Sequence, residues 1–234
     1  MEASNTAAKA DHGYTPPLGH HLLTPFYDLA IRVCTSESAW RGAIIQHARL
    51  KKGDRLIDVG CGTGSLLAEL TQSCPDADMI GIEPDAQALA LAKRKFSGVA
   101  NAPRWHNGFL DSLVPEANWR ADKIVSSLVF HQVPLVSKKS LLDQMIGFLA
   151  PGGELLIADY MRQDGRLMRA LYRNSVQRLD GITDTQPNAD GALEQLLLSR
   201  FDDAQCLERF NTLTGTISLW RARKIRQDNE RTSR

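Results

Sequence analysis

The stretch that most constrains the fold is RLIDVGCGTGSLLAEL, residues 55–70, where a short apolar run ends in three alternating glycines before an amphipathic segment. The apolar run predicts a buried β-strand and the segment after it predicts a helix. Gly60, Gly62 and Gly64 permit backbone angles that other residues avoid, and they let a ligand approach the main chain without an intervening Cβ. The stretch therefore predicts a strand, a ligand-binding turn and a helix.

The same alternation of apolar runs and amphipathic segments continues along the chain. Further strands are predicted in DMIGIE, before Asp111, in DKIVSSLVF and in GELLIADY, with helices from Ser65, Asp85 and Ser137. Such alternation indicates βαβ units, which form a parallel sheet with helices on both faces. We expect Pro151, Gly152 and Gly153 to end the helix that begins at Ser137.

The last part of the chain changes the pattern. Helical stretches are predicted at about 165–179 and 190–200, and AQCLERFNTLTGTISLWRARK predicts two strands joined near Gly215. The fold prediction is an α/β, doubly wound, mostly parallel seven-stranded sheet with a C-terminal antiparallel hairpin and an N-terminal helical cap.

Composition and chain ends set the domain plan. We predict a flexible arm and helical cap over 1–52, in which Thr24 and Pro25 begin the first helix, one ligand-binding domain over 53–224, and a disordered tail over 225–234. The formal net charge of +1 gives no general attraction to nucleic acid or membranes. The cysteines form no CxxC pair, and we see neither a signal peptide nor a membrane-spanning run. We expect a cytoplasmic protein without nucleic-acid partners or integral membrane association.

The spacing around the glycine turn separates two ligand classes. A dinucleotide favours G-x-G-x-x-G, whereas here Ser65 stands where the third glycine would fall. Glu83 ends the second strand 23 residues after Gly60, where a carboxylate can accept both hydroxyls of a ribose. Asp111 follows the third strand, within reach of an adenine amino group. An NAD-dependent oxidoreductase is disfavoured but stays open.

Five motifs, LIDVGCGTG, GIEPD, GFLDSL, IVSSLVFHQVP and LAPGGELLIADY, occur in the order found in class I S-adenosylmethionine-dependent methyltransferases. The chain resembles that family over roughly Arg55 to Lys224, and most closely its small-molecule branch with the quinone-biosynthesis C-methyltransferases. The resemblance implies S-adenosyl-L-methionine as cofactor, S-adenosyl-L-homocysteine as product, and a small-molecule acceptor. The implied cofactor-binding residues are Asp58, Gly60, Cys61, Gly62, Gly64, Glu83, Pro84, Phe109, Leu110, Asp111, Ser126, Ser127 and, from the cap, Tyr27.

Within that set the resemblance assigns different parts of the cofactor. Asp58 and the glycines line the methionine portion, Glu83 holds the ribose, and Asp111 with Phe109 or Leu110 flanks the adenine. Ser126 and Ser127 edge the methionine, and they stand where a metal-dependent branch of the family carries acids, so no metal is expected. We interpret Cys61 as a packing residue rather than a nucleophile.

Methyl transfer from a sulfonium needs mainly an acceptor lone pair held in line with the C–S bond. Where the acceptor carries a proton a base helps, and His131 is the only titratable side chain between Ser126 and Val136. His131 is therefore the candidate catalytic base, although a histidine here can also serve packing alone, and the cap offers His20, His21 or Tyr27 instead. A non-catalytic scaffold or sensor that binds the cofactor is a second hypothesis. Oligomeric state is open, with a homodimer as one option.

Overall fold

A seven-stranded sheet forms the centre of the protein in a computed structural model that describes residues 35–116 and 118–224. The strand order is β3-β2-β1-β4-β5-β7-β6, with β7 antiparallel to both of its neighbours. The predicted mostly parallel sheet with a C-terminal hairpin is confirmed. The strands are β1 Arg55–Val59, β2 Asp78–Glu83, β3 Arg104–Asn107, β4 Ala121–Ser127, β5 Leu149–Tyr160, β6 Asp203–Thr212 and β7 Gly215–Arg223.

Helices cover both faces of this sheet because successive strand residues are apolar on both sides. Leu56 belongs to the core on one face and Ile57 to the core on the other, and both are fully buried. Short 3-10 turns lie at Leu110–Ser112 and Phe130–Gln132. The helices are α1 Glu37–Ala48, α2 Ser65–Ser73, α3 Ala86–Lys95, α4 Leu135–Phe148, α5 Arg166–Asn174, α6 Val176–Asp180, α7 Ile182–Ala189 and α8 Ala192–Arg200.

The segment between β5 and β6 departs most from the sequence prediction. We call its four helices, Arg166–Arg200, the helical insert. The first predicted helix breaks after Asn174, and Gly181, at φ +84°, ends α6 before an unpredicted helix, α7, begins. α7 contains Pro187 and few strong helix formers. A hydrogen bond from Asn188 Nδ2 to the Tyr160 carbonyl (2.8 Å) helps to hold it, so tertiary contacts outweigh local propensity here.

The end of α4 also differs from the prediction. The helix ends at Phe148, and β5 already begins at Leu149 and runs through Pro151, Gly152 and Gly153. Leu149 pairs with Ala121 before a register shift in the β4–β5 ladder. The proline and glycines therefore lie within the strand rather than closing the helix.

The predicted cap is described only in its second half, where α1 covers part of the expected second helix. The arm, the helix expected from Thr24, Tyr27 and the tail at 225–234 lie outside the described residues. Over the described part of the chain, no helix has the length and apolar character to cross a membrane.

Candidate active site

The glycine turn joins β1 to α2 at the carboxyl edge of the sheet. The backbone amides of Gly60 and Cys61 both donate to the Ile82 carbonyl, at 2.9 and 3.0 Å. Gly60, at φ +75°, has no room for a side chain, because an added Cβ would lie 2.3 Å from Val129 Cγ2. At Gly62, with φ +53°, no atom of the described residues lies within 4 Å of an added Cβ. The left-handed backbone expected from the sequence is present, and the room for a ligand lies beside Gly62.

Asp58, near the end of β1, is the most unusual polar group at this turn. Its side chain is 1% exposed, and neither carboxylate oxygen has a hydrogen-bond partner among the described residues. Burial, and then the charge of Glu83, raise the pKa of Asp58 to about 7, while the charge of Arg41 acts in the opposite direction. A buried carboxylate without partners is costly, so this position suits a cationic ligand group.

Arg41 brings a cation from α1 towards this carboxylate, and the sequence analysis did not identify it. One guanidinium nitrogen pairs with Glu37, and another lies 3.7 Å from Glu69 Oε1. The Nε atom is buried without a partner among the described residues. Among the described residues, Asp58 therefore provides an unsatisfied acceptor and Arg41 an unsatisfied donor. Both lie near the place predicted for the methionine part of the cofactor.

Glu83, the last residue of β2, holds the glycine turn through hydrogen bonds from the neighbouring strand. Its Oε2 accepts a hydrogen bond from the Gly62 amide and its Oε1 accepts one from the Asp85 amide, both at 2.9 Å. Burial raises the pKa of Glu83, and these two hydrogen bonds act against the increase. Each carboxylate oxygen keeps a second lone pair, which is available to a hydroxyl group. Asp85 caps α3 by accepting from the Gln87 amide at 2.8 Å.

His131 lies in the 3-10 turn after β4 and is 5% exposed. Its Nδ1 lies 2.7 Å from Asp159 Oδ1, and its Nε2 lies 3.4 Å from Asp180 Oδ2. Burial lowers the pKa of His131, but the two carboxylates together raise it to about 9. At neutral pH both ring nitrogens therefore carry protons that face carboxylates. The general-base role of His131 stays a prediction, and it requires a neutral ring that this setting disfavours.

Comparison with known proteins finds a methyltransferase domain in this chain. The family model described as methyltransferase domain matches residues 56–153, from the second residue of β1 to the glycines of β5. A demethylmenaquinone methyltransferase of Deinococcus radiodurans is 26% identical over 221 residues, which cover 92% of this chain and 90% of that relative. Residues 56–153 thus match the methyltransferase domain family, and these findings support a class I S-adenosylmethionine-dependent methyltransferase.

Solved structures share the fold of this methyltransferase. Human N-acetylserotonin methyltransferase in complex with S-adenosylmethionine aligns with a TM-score of 0.60 and 20% identity, over 81% of this chain and 53% of that one. The N-methyltransferase NodS of Bradyrhizobium japonicum aligns with a TM-score of 0.56 and 14% identity, over 81% and 95%. Identities this low show the fold alone.

Several residues predicted to contact the cofactor are used for the methyltransferase's own structure. Ser126 is buried and donates to the Val59 carbonyl at 2.9 Å, so its hydroxyl ties β4 to β1. Leu110 is 1% exposed and belongs to the core, so its side chain is an interior contact. Cys61 is buried, and burial raises the pKa of its thiol, which fits the packing interpretation.

Other predicted positions stay at or near the surface. Phe109 and Ser127 are half-buried, and Pro84 is half-buried beside Glu83. Asp111 is exposed in the 3-10 turn after β3. Phe109, rather than Leu110, is therefore the side chain of this pair that remains accessible to an adenine ring.

Two carboxylates that the sequence analysis missed complete the surroundings of His131. Asp159 ends an otherwise apolar run in β5, and an acid at the carboxyl end of a buried strand is the signal that marks it. Asp180 is the last residue of α6, directly before Gly181, at the end of a segment predicted as one longer helix. Its approach to His131 depends on the path of the helical insert, which local patterns did not reveal.

Proposed function

We propose that this methyltransferase binds S-adenosyl-L-methionine at the glycine turn and transfers the methyl group to a small-molecule acceptor by direct in-line displacement, leaving S-adenosyl-L-homocysteine. The observation that carries the proposal is Asp58, a buried carboxylate without a partner among the described residues, beside the open space at Gly62. The ammonium group of a methionine moiety is a cation suited to that carboxylate.

The residues present fit the rest of this cofactor. Arg41 is suited to the methionine carboxylate, since its Nε is buried and unsatisfied among the described residues. Glu83 would hold the ribose hydroxyls through the lone pairs that its two backbone hydrogen bonds leave free. Phe109 and Asp111 would flank the adenine. The remaining residues proposed at this site are Gly60, Cys61, Gly62, Gly64, Pro84, Leu110, Ser126, Ser127 and Tyr27.

When bound, S-adenosylmethionine supplies a sulfonium-activated methyl group. The chain's contribution is to fix the geometry of the two reactants and to exclude water, which can supply a large share of the acceleration when the reacting atoms are held in line. General-base help from His131 would need proton loss first, because its nitrogens face Asp159 and Asp180. A base mechanism through His131 therefore predicts a rate that rises with pH up to about 9, the pKa of this histidine.

Calorimetry with three ligands tests the cofactor assignment. We expect S-adenosylmethionine and S-adenosylhomocysteine to bind and NAD not to bind, since Ser65 replaces the third glycine of a dinucleotide turn. Tighter binding of NAD, or binding of neither adenosyl ligand, would overturn the proposal.

Transfer of a radiolabelled methyl group separates an enzyme from a cofactor-binding scaffold or sensor. Reduced demethylmenaquinone is the first acceptor to test, because the relative from Deinococcus radiodurans is a demethylmenaquinone methyltransferase. Labelled product supports this acceptor class. Cofactor binding without transfer to any acceptor in a panel of quinols, phenols and amines would favour the scaffold hypothesis.

A further inference from the structure

The helical insert is fastened to the rest of the molecule by polar contacts to α7. Lys138, fully buried in α4, donates from Nζ to the Asp184 carbonyl at 2.7 Å. Asn188 Nδ2 donates to the Tyr160 carbonyl at the end of β5, at 2.8 Å. In both hydrogen bonds the acceptor is a main-chain carbonyl. They therefore hold α7 in place without a carboxylate of the insert.

His131 makes a different kind of contact, because it joins the preceding helix, α6, to the sheet through charge. Asp159 is fully buried and accepts from the Phe130 amide at 2.6 Å, the Tyr160 amide at 2.7 Å and the His131 ring at 2.7 Å. Asp180, on the far side of the ring, has a side chain 18% exposed. The ring is thus attached rigidly to β5 and less rigidly to the insert.

Aromatic and charged groups from several elements surround His131. The Tyr160 ring packs edge-on at 5.1 Å between centroids, and Tyr172 packs on Tyr160. Burial lowers the pKa of Lys138 to about 8, and the charges of Asp159 and Asp184 act against this decrease. The titratable or charged groups on the packed elements are Asp159 and Tyr160 of β5, Asp180 of α6, Tyr172 of α5, Lys138 of α4 and Asp184 of α7.

This contact lies at the carboxyl ends of two neighbouring strands, because His131 follows β4 and Asp159 lies near the end of β5. His131 follows Val129 by two residues, and the Val129 methyl is the atom that an added Cβ at Gly60 would strike. Ligands of open α/β sheets bind at the carboxyl ends of the strands, where β4 and β1 are neighbours. Loss of the contact between His131 and α6 would therefore affect the edge of the sheet at which such ligands bind.

We propose that His131 is a positioning residue: in its charged form it bridges Asp159 and Asp180 and holds the helical insert at the carboxyl ends of β4 and β5, the edge where the acceptor would approach. The functional meaning of this anchoring rests on the proposed methyl transfer, whereas the anchoring itself needs neither cofactor nor acceptor. His131 in this role orients the insert through Asp180.

Hydrogen–deuterium exchange of the full chain without ligand tests the anchoring, with Asp180→Asn as the variant and Asp184→Asn as its matched control. Each change removes one carboxylate from the insert. The hydrogen bond from Lys138, however, goes to the main-chain carbonyl of Asp184, which the Asp184→Asn variant keeps. At pH 7 we expect the amides of residues 176–189 to exchange roughly three- to tenfold faster in Asp180→Asn, the scale of one charge-assisted contact. Asp184→Asn should stay within about twofold of the wild type.

A pH series separates this role from simple packing. After correction for intrinsic exchange, protection of residues 176–189 in the wild type should fall between pH 7 and pH 10, because the pKa of His131 is raised to about 9. In His131→Asn the same protection should be low and should not fall between pH 7 and pH 10. Equal protection in wild type and Asp180→Asn, or a wild type without pH dependence, would overturn the proposal.

Ligand binding and kinetics distinguish failure of this proposal from failure of the proposed function. Asp180→Asn should bind S-adenosylhomocysteine as the wild type does and, with an accepted quinol, should raise KM roughly three- to tenfold with a smaller change in kcat. Altered exchange with no binding of the adenosyl ligand by the wild type would keep the anchoring and remove the methyl-transfer assignment. Normal cofactor binding and methyl transfer by the wild type, with unaltered exchange in Asp180→Asn, would keep the methyl-transfer assignment and remove the anchoring.

Discussion

At the scale of single residues, Asp58 serves two opposing requirements. Buried without partners among the described residues, it destabilises the fold when charged, and the same isolation makes it a strong site for a ligand cation. Its pKa is raised from 3.8 to about 7, so the cost is absent below about pH 4 and complete above about pH 7. Stability and cofactor affinity should therefore respond in opposite directions to its removal.

We predict that Asp58→Asn increases the free energy of unfolding of the ligand-free protein at pH 8 by about 1–3 kcal/mol. The same change should weaken S-adenosylhomocysteine binding by about 1–3 kcal/mol, since it removes a charge-assisted hydrogen bond. Urea denaturation and calorimetry at pH 8 measure the two effects. Asp54→Asn, at the other end of β1, is the control and should leave affinity unchanged. A less stable variant with unaltered affinity would contradict the prediction.

Glu83 gives a second test at this scale, because its carboxylate is both a brace and a proposed ribose ligand. Glu83→Ala should weaken S-adenosylhomocysteine binding by about 1–3 kcal/mol. It should also lower stability, since the amides of Gly62 and Asp85 lose their acceptor. Asp76→Ala removes an acid from the loop that precedes β2 and serves as the control in calorimetry. A dissociation constant equal to that of the wild type would exclude Glu83 from the ribose site.

At the scale of elements, the turn between β1 and α2 is shaped as much by the segment after β4 as by any ligand. Val129 leaves no room for a side chain at Gly60, whereas no described residue lies within 4 Å of an added Cβ at Gly62. Gly60→Ala should therefore lower the free energy of unfolding by about 2–4 kcal/mol, from steric overlap and a left-handed φ together. Gly62→Ala should cost about 1 kcal/mol, from φ alone.

A double-mutant cycle checks the origin of that difference. Val129→Ala removes the methyl group that an alanine at position 60 would strike, so Val129→Ala should recover about 1 kcal/mol or more in the Gly60→Ala background. The measurement is urea denaturation of the four proteins in the cycle. Additive effects of the two changes would show that the cost at Gly60 comes from its backbone angle and not from contact with Val129.

The sequence predicts elements where local patterns decide the structure, and it fails where distant contacts decide it. β1, α2 and the hairpin follow from periodicity and glycine placement, and the start of α3 follows from its cap at Asp85. α7 does not, because Pro187 argues against a helix and the compensating contacts come from Lys138 and Tyr160.

The candidate site divides in the same way. Asp58 and Glu83 lie at the ends of predicted strands, so their neighbourhood could be foreseen. The partners of His131 could not, because Asp159 is 28 positions away and Asp180 reaches the ring only through the path of the insert. Arg41 was missed because an arginine on a surface-type helix carries no local sign of burial.

At the scale of the whole molecule, buried ionisable groups give stability a definite pH dependence. His131 contributes stability that is complete below about pH 6.5 and is lost as pH rises through about 9, since its pKa is raised. Asp58 adds a cost that grows up to about pH 7. Lys138, with a pKa lowered to about 8, opposes them only above that pH, where its burial cost begins to disappear.

We predict that the free energy of unfolding falls by about 1–3 kcal/mol between pH 6 and pH 8, because the contributions of His131 and Asp58 have the same sign there. Urea denaturation at the two pH values provides the measurement. The double variant Asp58→Asn with His131→Asn should show a difference of less than about 1 kcal/mol. Stability that increases from pH 6 to pH 8 in the wild type would contradict this assignment.

The position of β7 between β5 and β6 has a consequence for how the chain is made. A ribosome delivers β5 first, then the insert and β6, and β7 only after them, yet β7 is the strand that pairs with both. Until it emerges, β5 presents an open, largely apolar edge, of the kind that pairs with other chains. We expect nascent chains stalled before β7 to require chaperones and to aggregate when released, whereas chains stalled after it should not. Translation of β7, the last strand of the sheet to be made, thus determines when the nascent chain no longer exposes this edge.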